Sequence, residues 1–235
     1  MLKAVIFDLD GVVADSHPIH EVAWKSLLAE AGLNPDSINV DFLYAGHPRR
    51  EILRHYLGPL DDSEIQYWGR RKDELYELAA KNLRAKPGIP EGLSQLRDAG
   101  IPCALATSAG HKRTLESLQV LGVREYFSIV ITGDDVRNPK PAPDIFLLAA
   151  QKLSVKPQEA VVVEDSVAGV QAAVAGGMKC VGYTSEERAD ELRRAGADVV
   201  VADLPKDAVA YFRDVASSCG LSAPAPSKQI SRQEC

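Results

Sequence analysis

The chain has 235 residues, 46% hydrophobic and 26% charged, which argues against disordered, collagen-like and membrane-embedded classes and leaves room for one or two domains with a closed core. Its 33 acidic against 27 basic residues give a formal charge of -6, so no overall positive field draws it to nucleic acid. No apolar run reaches the ~18 residues of a membrane span, no signal-peptide pattern opens the chain, and Cys103, Cys180, Cys219 and Cys235 form no Cys-x-x-Cys pair, so a cytoplasmic setting with reduced thiols is expected.

In chain order, the first strand is expected at Ala4 to Leu9. From about Ala14 to Lys86 the pattern turns helical with no obvious strand: Trp24, Leu27, Leu28 and Ala31 recur at 3–4 spacing, as do Ile65, Trp68, Leu75 and Leu78 within Asp62 to Leu83. Pro87-Gly88-Ile89-Pro90 punctuates the return to alternating elements. There, strands at Cys103 to Thr107, Ile129 to Thr132, Ala160 to Glu164, Cys180 to Tyr183 and Val199 to Ala202 are interleaved with helices at Pro90 to Ala99, His111 to Leu121, Pro143 to Leu153 and Val167 to Gly176. Such alternation predicts an α/β class: a doubly wound, Rossmann-like parallel sheet covered on both faces, with an inserted α-helical cap domain. The continuous apolar runs Val161 to Val163 and Val199 to Val201 read as strands buried on both sides. Residues 1–14 and 87–216 are expected to form the core domain, 15–86 the cap, and 217–235, rich in Ser and Pro, a flexible tail.

The reactive side chains fall just beyond strand ends: Asp8 and Asp10 after the first, Thr107 and Ser108 after the second, Lys140 beyond the third, Glu164 and Asp165 at the fourth. In an open parallel sheet all these ends face one crevice. Asp8, Glu164 and Asp165 would repel one another without a cation, and hard oxygen ligands with no Cys or His companion favour Mg²⁺. Lys140, a hydroxyl from Thr107 or Ser108, and Mg²⁺ would together suit the equatorial oxygens of a transferring phosphoryl group. An ionised Asp8 can attack phosphorus without a general base, while Asp10, two residues on, can move protons. Singly, Asp-x-Asp-Gly is ordinary turn chemistry and Lys140-Pro141 is weaker still; the ordered set carries the reading.

That set, Asp8-Leu9-Asp10-Gly11-Val12, Thr107-Ser108, Lys140-Pro141 and Glu164-Asp165-Ser166, resembles the four motifs of the haloacid dehalogenase superfamily, and the likeness covers nearly all of the chain but its tail. The resemblance implies Asp8 as nucleophile, Asp10 as acid/base, and Mg²⁺ held by Asp8, the main-chain carbonyl of Asp10, and Glu164 with Asp165. It places Thr107 and Lys140 beside the reaction and Ser108 and Ala109 at the substrate. An acid at position 10 points to phosphate esters, because dehalogenase and phosphonate-cleaving branches generally lack it. Asp15-Ser16, His20, Ala23-Trp24-Lys25, Gly46 with Arg49, and Arg71-Lys72 resemble the helical-cap branch that contains β-phosphoglucomutase and many small sugar phosphatases. In the mutase, the positions matching Arg49 and Lys72 grip the substrate's second phosphate. A lysine before the cap glycine and a serine three residues after the arginine are usual there; this chain has Ala45 and Ile52.

The function expected is therefore Mg²⁺-dependent hydrolysis of a small sugar phosphate through an aspartyl-phosphate. The alternative is a β-phosphoglucomutase exchanging β-glucose 1-phosphate and glucose 6-phosphate, and a more remote one a non-catalytic phospho-acceptor or metabolite-binding module. A signalling receiver shares the acidic cluster, Ser/Thr and Lys, but carries its acceptor Asp after a later strand. The expected partner is a small phosphorylated metabolite, without nucleic acid, membrane or obligate protein partner. His20 is equally readable as a solvated helix-start residue, Trp24 reads as core by its spacing, and the cysteines read as small hydrophobes or tail residues.

Overall fold

A strand of four apolar residues presents side chains to both faces and is stable only between two layers. The computed structural model, which describes residues 1–39, 42–43 and 49–218, has that arrangement. Strands β1 (Ala4–Phe7), β2 (Cys103–Ala106), β3 (Phe127–Ile131), β4 (Ala160–Glu164), β5 (Lys179–Tyr183) and β6 (Val199–Val201) form one parallel sheet in the order β3-β2-β1-β4-β5-β6. β1 sits in the middle, with Val5 opposite Cys103 on one side and Val161 on the other.

The alternation of β1 divides the core. Val5 and Phe7 join Val161, Val163 and Leu105 in a layer covered by α4 (Ile89–Asp98), α5 (His111–Leu121) and α9 (Ala208–Ser217). Ala4 and Ile6 join Ala160, Val162 and Ala104 beneath α6 (Asp144–Lys152), α7 (Val167–Ala175) and α8 (Ala189–Ala195). Phe7 meets Phe127 and Phe212 edge to face, with centroids 6.2 and 6.0 Å apart, a geometry that favours aromatic pairs beyond their buried area.

Between β1 and α4 the chain makes α1 (His17–Glu30), α2 (Arg49–Leu57) and α3 (Asp62–Ala79). Trp24, Leu27 and Leu28 of α1 pack with Ile52 and Leu53 of α2 and Leu75 and Tyr76 of α3 into a third apolar cluster. A capping box starts α3, with Asp61 Oδ1 accepting from the Glu64 amide at 2.8 Å and Glu64 Oε2 accepting from the Asp61 amide at 2.9 Å.

Several details differ from the sequence reading. β1 ends at Phe7 rather than Leu9, and β3 starts at Phe127 rather than Ile129. Val199 to Val201 is not a strand buried on both sides: β6 is the sheet edge and only partly buried, because an apolar run records burial against a face but not the presence of two neighbours. Leu78 lies 62% exposed, since the inward face of α3 continues through Lys72, Leu75 and Tyr76, and Tyr76 occupies the turn Leu78 would have shared. α2, α8 and α9 were not foreseen, and α9 runs through Ser217. Cys103 and Cys180 are buried free thiols. Ala45, Gly46 and the tail beyond 218 lie outside the described residues. No helix among the described residues is long and apolar enough to cross a membrane.

Candidate active site

The sheet order reverses direction between β1 and β4, the switch point at which an open α/β sheet leaves a crevice at its carboxyl edge. Asp8 follows β1 directly, Glu164 ends β4 and Asp165 comes next, so adjacency of the two strands juxtaposes residues more than 150 positions apart. A cavity of ≈270 Å³ opens there, lined by Asp8, Asp10, Thr107, Ser108, Ala109, Lys140, Glu164 and Asp165 from the sheet side and by His20, Arg49 and Lys72 from the helical insertion.

Lys140 is the hub of the sheet side. Its Nζ donates to Asp8 Oδ1 at 2.6 Å, Glu164 Oε1 at 2.7 Å and the Ala106 carbonyl at 3.3 Å, with the Phe146 ring 4.8 Å below. The Lys140-Pro141 peptide is cis. Burial works against the ammonium, but Asp8 and Glu164 outweigh it and hold the Lys140 pKa above its ordinary value. Burial pushes the Asp8 carboxyl well above the usual range; Lys140 opposes this, while Glu164, Asp165 and Asp10 add to it. The other Glu164 oxygen accepts from the amide and hydroxyl of Ser166 at 2.7 and 2.9 Å. Glu164 thus anchors Lys140 and the start of α7, and among the described residues no three ligating side chains gather at metal spacing.

After β1 the chain bends rather than staying extended. Gly11 has φ +74°, and Asp10 bridges to Ala14. A side chain at 11 would collide with the Asp165 carboxylate and lie 2.8 Å from His17 Nε2, so the glycine makes way for that carboxylate, which itself pairs with His17 at 3.0 Å. Asp10 is turned toward α5 and the insertion. Arg113 grips both its oxygens, at 3.0 and 2.7 Å, and His20 Nε2 lies 3.4 Å away. Burial alone would raise the Asp10 pKa, but Arg113 and His20 prevail and set it well below the ordinary carboxylate value. Burial, then Lys72, lowers His20 to about 3; the neutral ring lies tilted against Tyr76, centroids 4.6 Å apart, and touches Lys72 through Nδ1.

Thr107 is buried and its Oγ1 accepts from the Ala109 amide at 3.1 Å, so that amide is already engaged, whereas Ser108 is exposed at the cavity. Trp24 packs in the apolar cluster of the insertion and also walls the cavity beneath Lys72. Arg49 forms a two-point pair with Asp73, at 2.8 Å for each oxygen. Arg113 and His17 line the cavity without having been singled out from sequence, and Ser166, read there only as part of the fourth motif, lines it too. A signal existed for Arg113: His111-Lys112-Arg113 puts basic groups in the first turn of α5, against the helix dipole, an arrangement that calls for carboxylate partners. The partners are Asp10 for Arg113 and Glu77 for Lys112 at 2.7 Å.

Residues 5–183 match the family described as haloacid dehalogenase-like hydrolase. The chain belongs to that family. It is 36% identical over 180 residues to a phosphorylated carbohydrates phosphatase of Thermotoga maritima, covering 76% of this chain and 83% of that one. It is 32% identical over 210 residues to a β-phosphoglucomutase of Bacillus subtilis, covering 85% and 89%. Among solved structures, a family IA hydrolase of Entamoeba histolytica superposes with a TM-score of 0.84 at 25% identity, over 92% of this chain and all of that one. The protein is therefore an enzyme, a phosphatase or phosphomutase with an α/β core and helical cap.

Mg²⁺ is typical of this family. The donor chemistry fits one: Asp8 and Glu164 share the single Lys140 ammonium, Asp165 lines the same cavity, and the carboxylate charge that Lys140 leaves unbalanced is felt at Asp8, among hard oxygens of the kind Mg²⁺ prefers.

Proposed function

We propose that this enzyme hydrolyses the phosphate ester of a small sugar or polyol monophosphate through a phosphorylated Asp8. The observation that supports it is that Asp8 and Asp10 line one cavity under opposite control, Asp8 at the ammonium of Lys140 and Asp10 at the cap side under Arg113 and His20. In the first half-reaction an Asp8 carboxylate oxygen bonds to phosphorus as the ester P–O bond breaks, and Asp10 gives its proton to the leaving oxygen. This requires the Asp10 carboxyl to exchange Arg113 for the substrate. In the second half, Asp10 takes a proton from water, whose oxygen attacks phosphorus and restores Asp8. Lys140 keeps Asp8 oriented, and Ser108 lies where a hydroxyl can reach a phosphoryl oxygen.

Asp8, the Asp10 carbonyl and Asp165 would hold Mg²⁺, with Glu164 restrained by Lys140 and Ser166 to at most a water-mediated contact. When bound, the cation neutralises Asp8 and draws charge from the phosphoryl oxygens. The helices of residues 15–86 act as the cap that limits water entry.

A mutase reading has the β-phosphoglucomutase relative in its favour. Against it, Ile52 is 6% exposed in the apolar cluster of the cap and offers a retained bisphosphate no hydrogen bond. Inorganic phosphate release should exceed interconversion of β-glucose 1-phosphate and glucose 6-phosphate in a parallel assay with a bisphosphate primer, and chelator should abolish both. Efficient primer-dependent isomerisation with negligible phosphate release would establish the mutase reading instead.

A further inference from the structure

Among the described residues, each cation that lines the cavity has a partner. Lys140 lies between Asp8 and Glu164, and Arg113 holds Asp10. Lys72 is 4% exposed and rests on His20; burial, then Arg113 and Arg49, lower its pKa to about 7. Arg49, which opens α2 and reaches the cavity wall, lies along α3 instead. Its Nη1 and Nη2 meet the two Asp73 oxygens, and Nη1 also approaches the Gly69 carbonyl at 3.4 Å, one helical turn before Asp73. The parallel N–H pair used here is the one a guanidinium needs for two-point recognition of phosphate.

We propose that Asp73 is a specificity-determining residue: by occupying the guanidinium fork of Arg49, it makes the cap end of the cavity accept an uncharged, hydroxylated substrate end and reject a second phosphate. The inference rests on the monophosphate reading above and deepens it by naming what the cap excludes. A distal phosphate would enter with about two negative charges and, among the described residues lining the cavity, meet the Arg49 fork already held by Asp73. A sugar or polyol hydroxyl needs only neutral hydrogen bonds and no free guanidinium. The pair is half-exposed, with 47% and 38% of the side chains accessible, so opening it costs the cap little stability. Its contribution is to the choice of ligand.

The test is a binding comparison in the non-turning-over Asp8→Asn protein, by calorimetry with fructose 1-phosphate and fructose 1,6-bisphosphate. Asp73→Asn should raise the affinity for the bisphosphate relative to the monophosphate by about tenfold or more, as one charge-assisted two-point contact is gained. Asp73→Ser, which cannot repeat the two-point pair, should do the same. Adding Arg49→Gln to Asp73→Asn should remove the gain, because the released guanidinium is its source. An unchanged ratio in both single variants, or a gain that survives loss of Arg49, overturns the proposal. Failure of the hydrolytic reading shows elsewhere, as absence of phosphate release from monophosphates by the wild-type enzyme while the binding contrast stands.

Discussion

Asp8 and Asp10 sit two positions apart, and their surroundings pull them in opposite directions: burial among carboxylates raises Asp8, while Arg113 and His20 lower Asp10. On the proposed roles, Asp8→Asn should abolish both turnover and phosphoenzyme. Asp10→Asn should lower turnover by about 10²–10⁴-fold, the usual worth of a positioned acid/base, while phosphorylation of Asp8 remains detectable. Rapid-quench labelling with turnover assays separates the two, and near-wild-type turnover of Asp8→Asn would remove it as nucleophile. Lys72 allows a second prediction, in stability. The unfolded chain keeps a lysine protonated to about 10.4, whereas burial, with Arg113 and Arg49, brings folded Lys72 to about 7. Between those values the unfolded state binds more protons, so this group makes folding more favourable as pH rises and imposes its full cost below pH 7. Lys72→Met should therefore stabilise the protein most at pH 6, with the advantage shrinking toward pH 9 in urea titrations; a gain independent of pH would contradict the burial argument. Asp8 and Lys140 were legible because order along the chain maps onto order of strand ends. Arg113 was legible only as a basic residue at a helix start, because its partner is 103 residues away and no local spacing announces a bidentate pair across two elements.

At the scale of elements, α7 shows why a small residue is required on one helix face. A Cβ at Gly169 would overlap the Glu164 carboxylate, which anchors Lys140 at one oxygen and Ser166 at the other. Gly169→Ala should cost about 1–3 kcal/mol as an overpacked site, and should lower kcat by displacing Lys140 from Asp8. Thermal denaturation and steady-state kinetics test this, and a variant with wild-type melting temperature and kcat would show that α7 can lift away freely. The run from Val167 to Gly176 was legible as a helix. What it could not reveal was that the helix approaches a charged group, since Gly169 and Glu164 contact through the turn between β4 and α7. Strand existence was likewise readable from Val161 to Val163, but the edge position of β6 was not, because edge or centre is decided by which distant strand pairs. α8, seven residues with six charged or Ala neighbours around Leu192, carries too little periodicity to be noticed.

At the scale of the molecule, the arrangement of strands follows from pairings of very different reach. β1 pairs with β2, which begins 99 residues after it, and with β4, where Ala4 stands opposite Ala160. The contacts of α1 with α3 lie much closer along the chain. Alternation of strands and helices made the sheet legible, and the long helical interruption made the cap legible, but the closeness of cap to core at Lys112 with Glu77 depends on helices from two units meeting, which no single window contains. The register of β1 also sets an order of events during synthesis. At about 5–20 residues per second, Ala160 is made on the order of ten seconds after Ala4. The cap helices can pair in that interval, while the central strand waits for its second neighbour. The mutually repelling carboxylates of Asp8, Glu164 and Asp165 thus meet only after β4 has been made, and Lys140, the ammonium that lies between two of them, has by then already left the ribosome's catalytic centre.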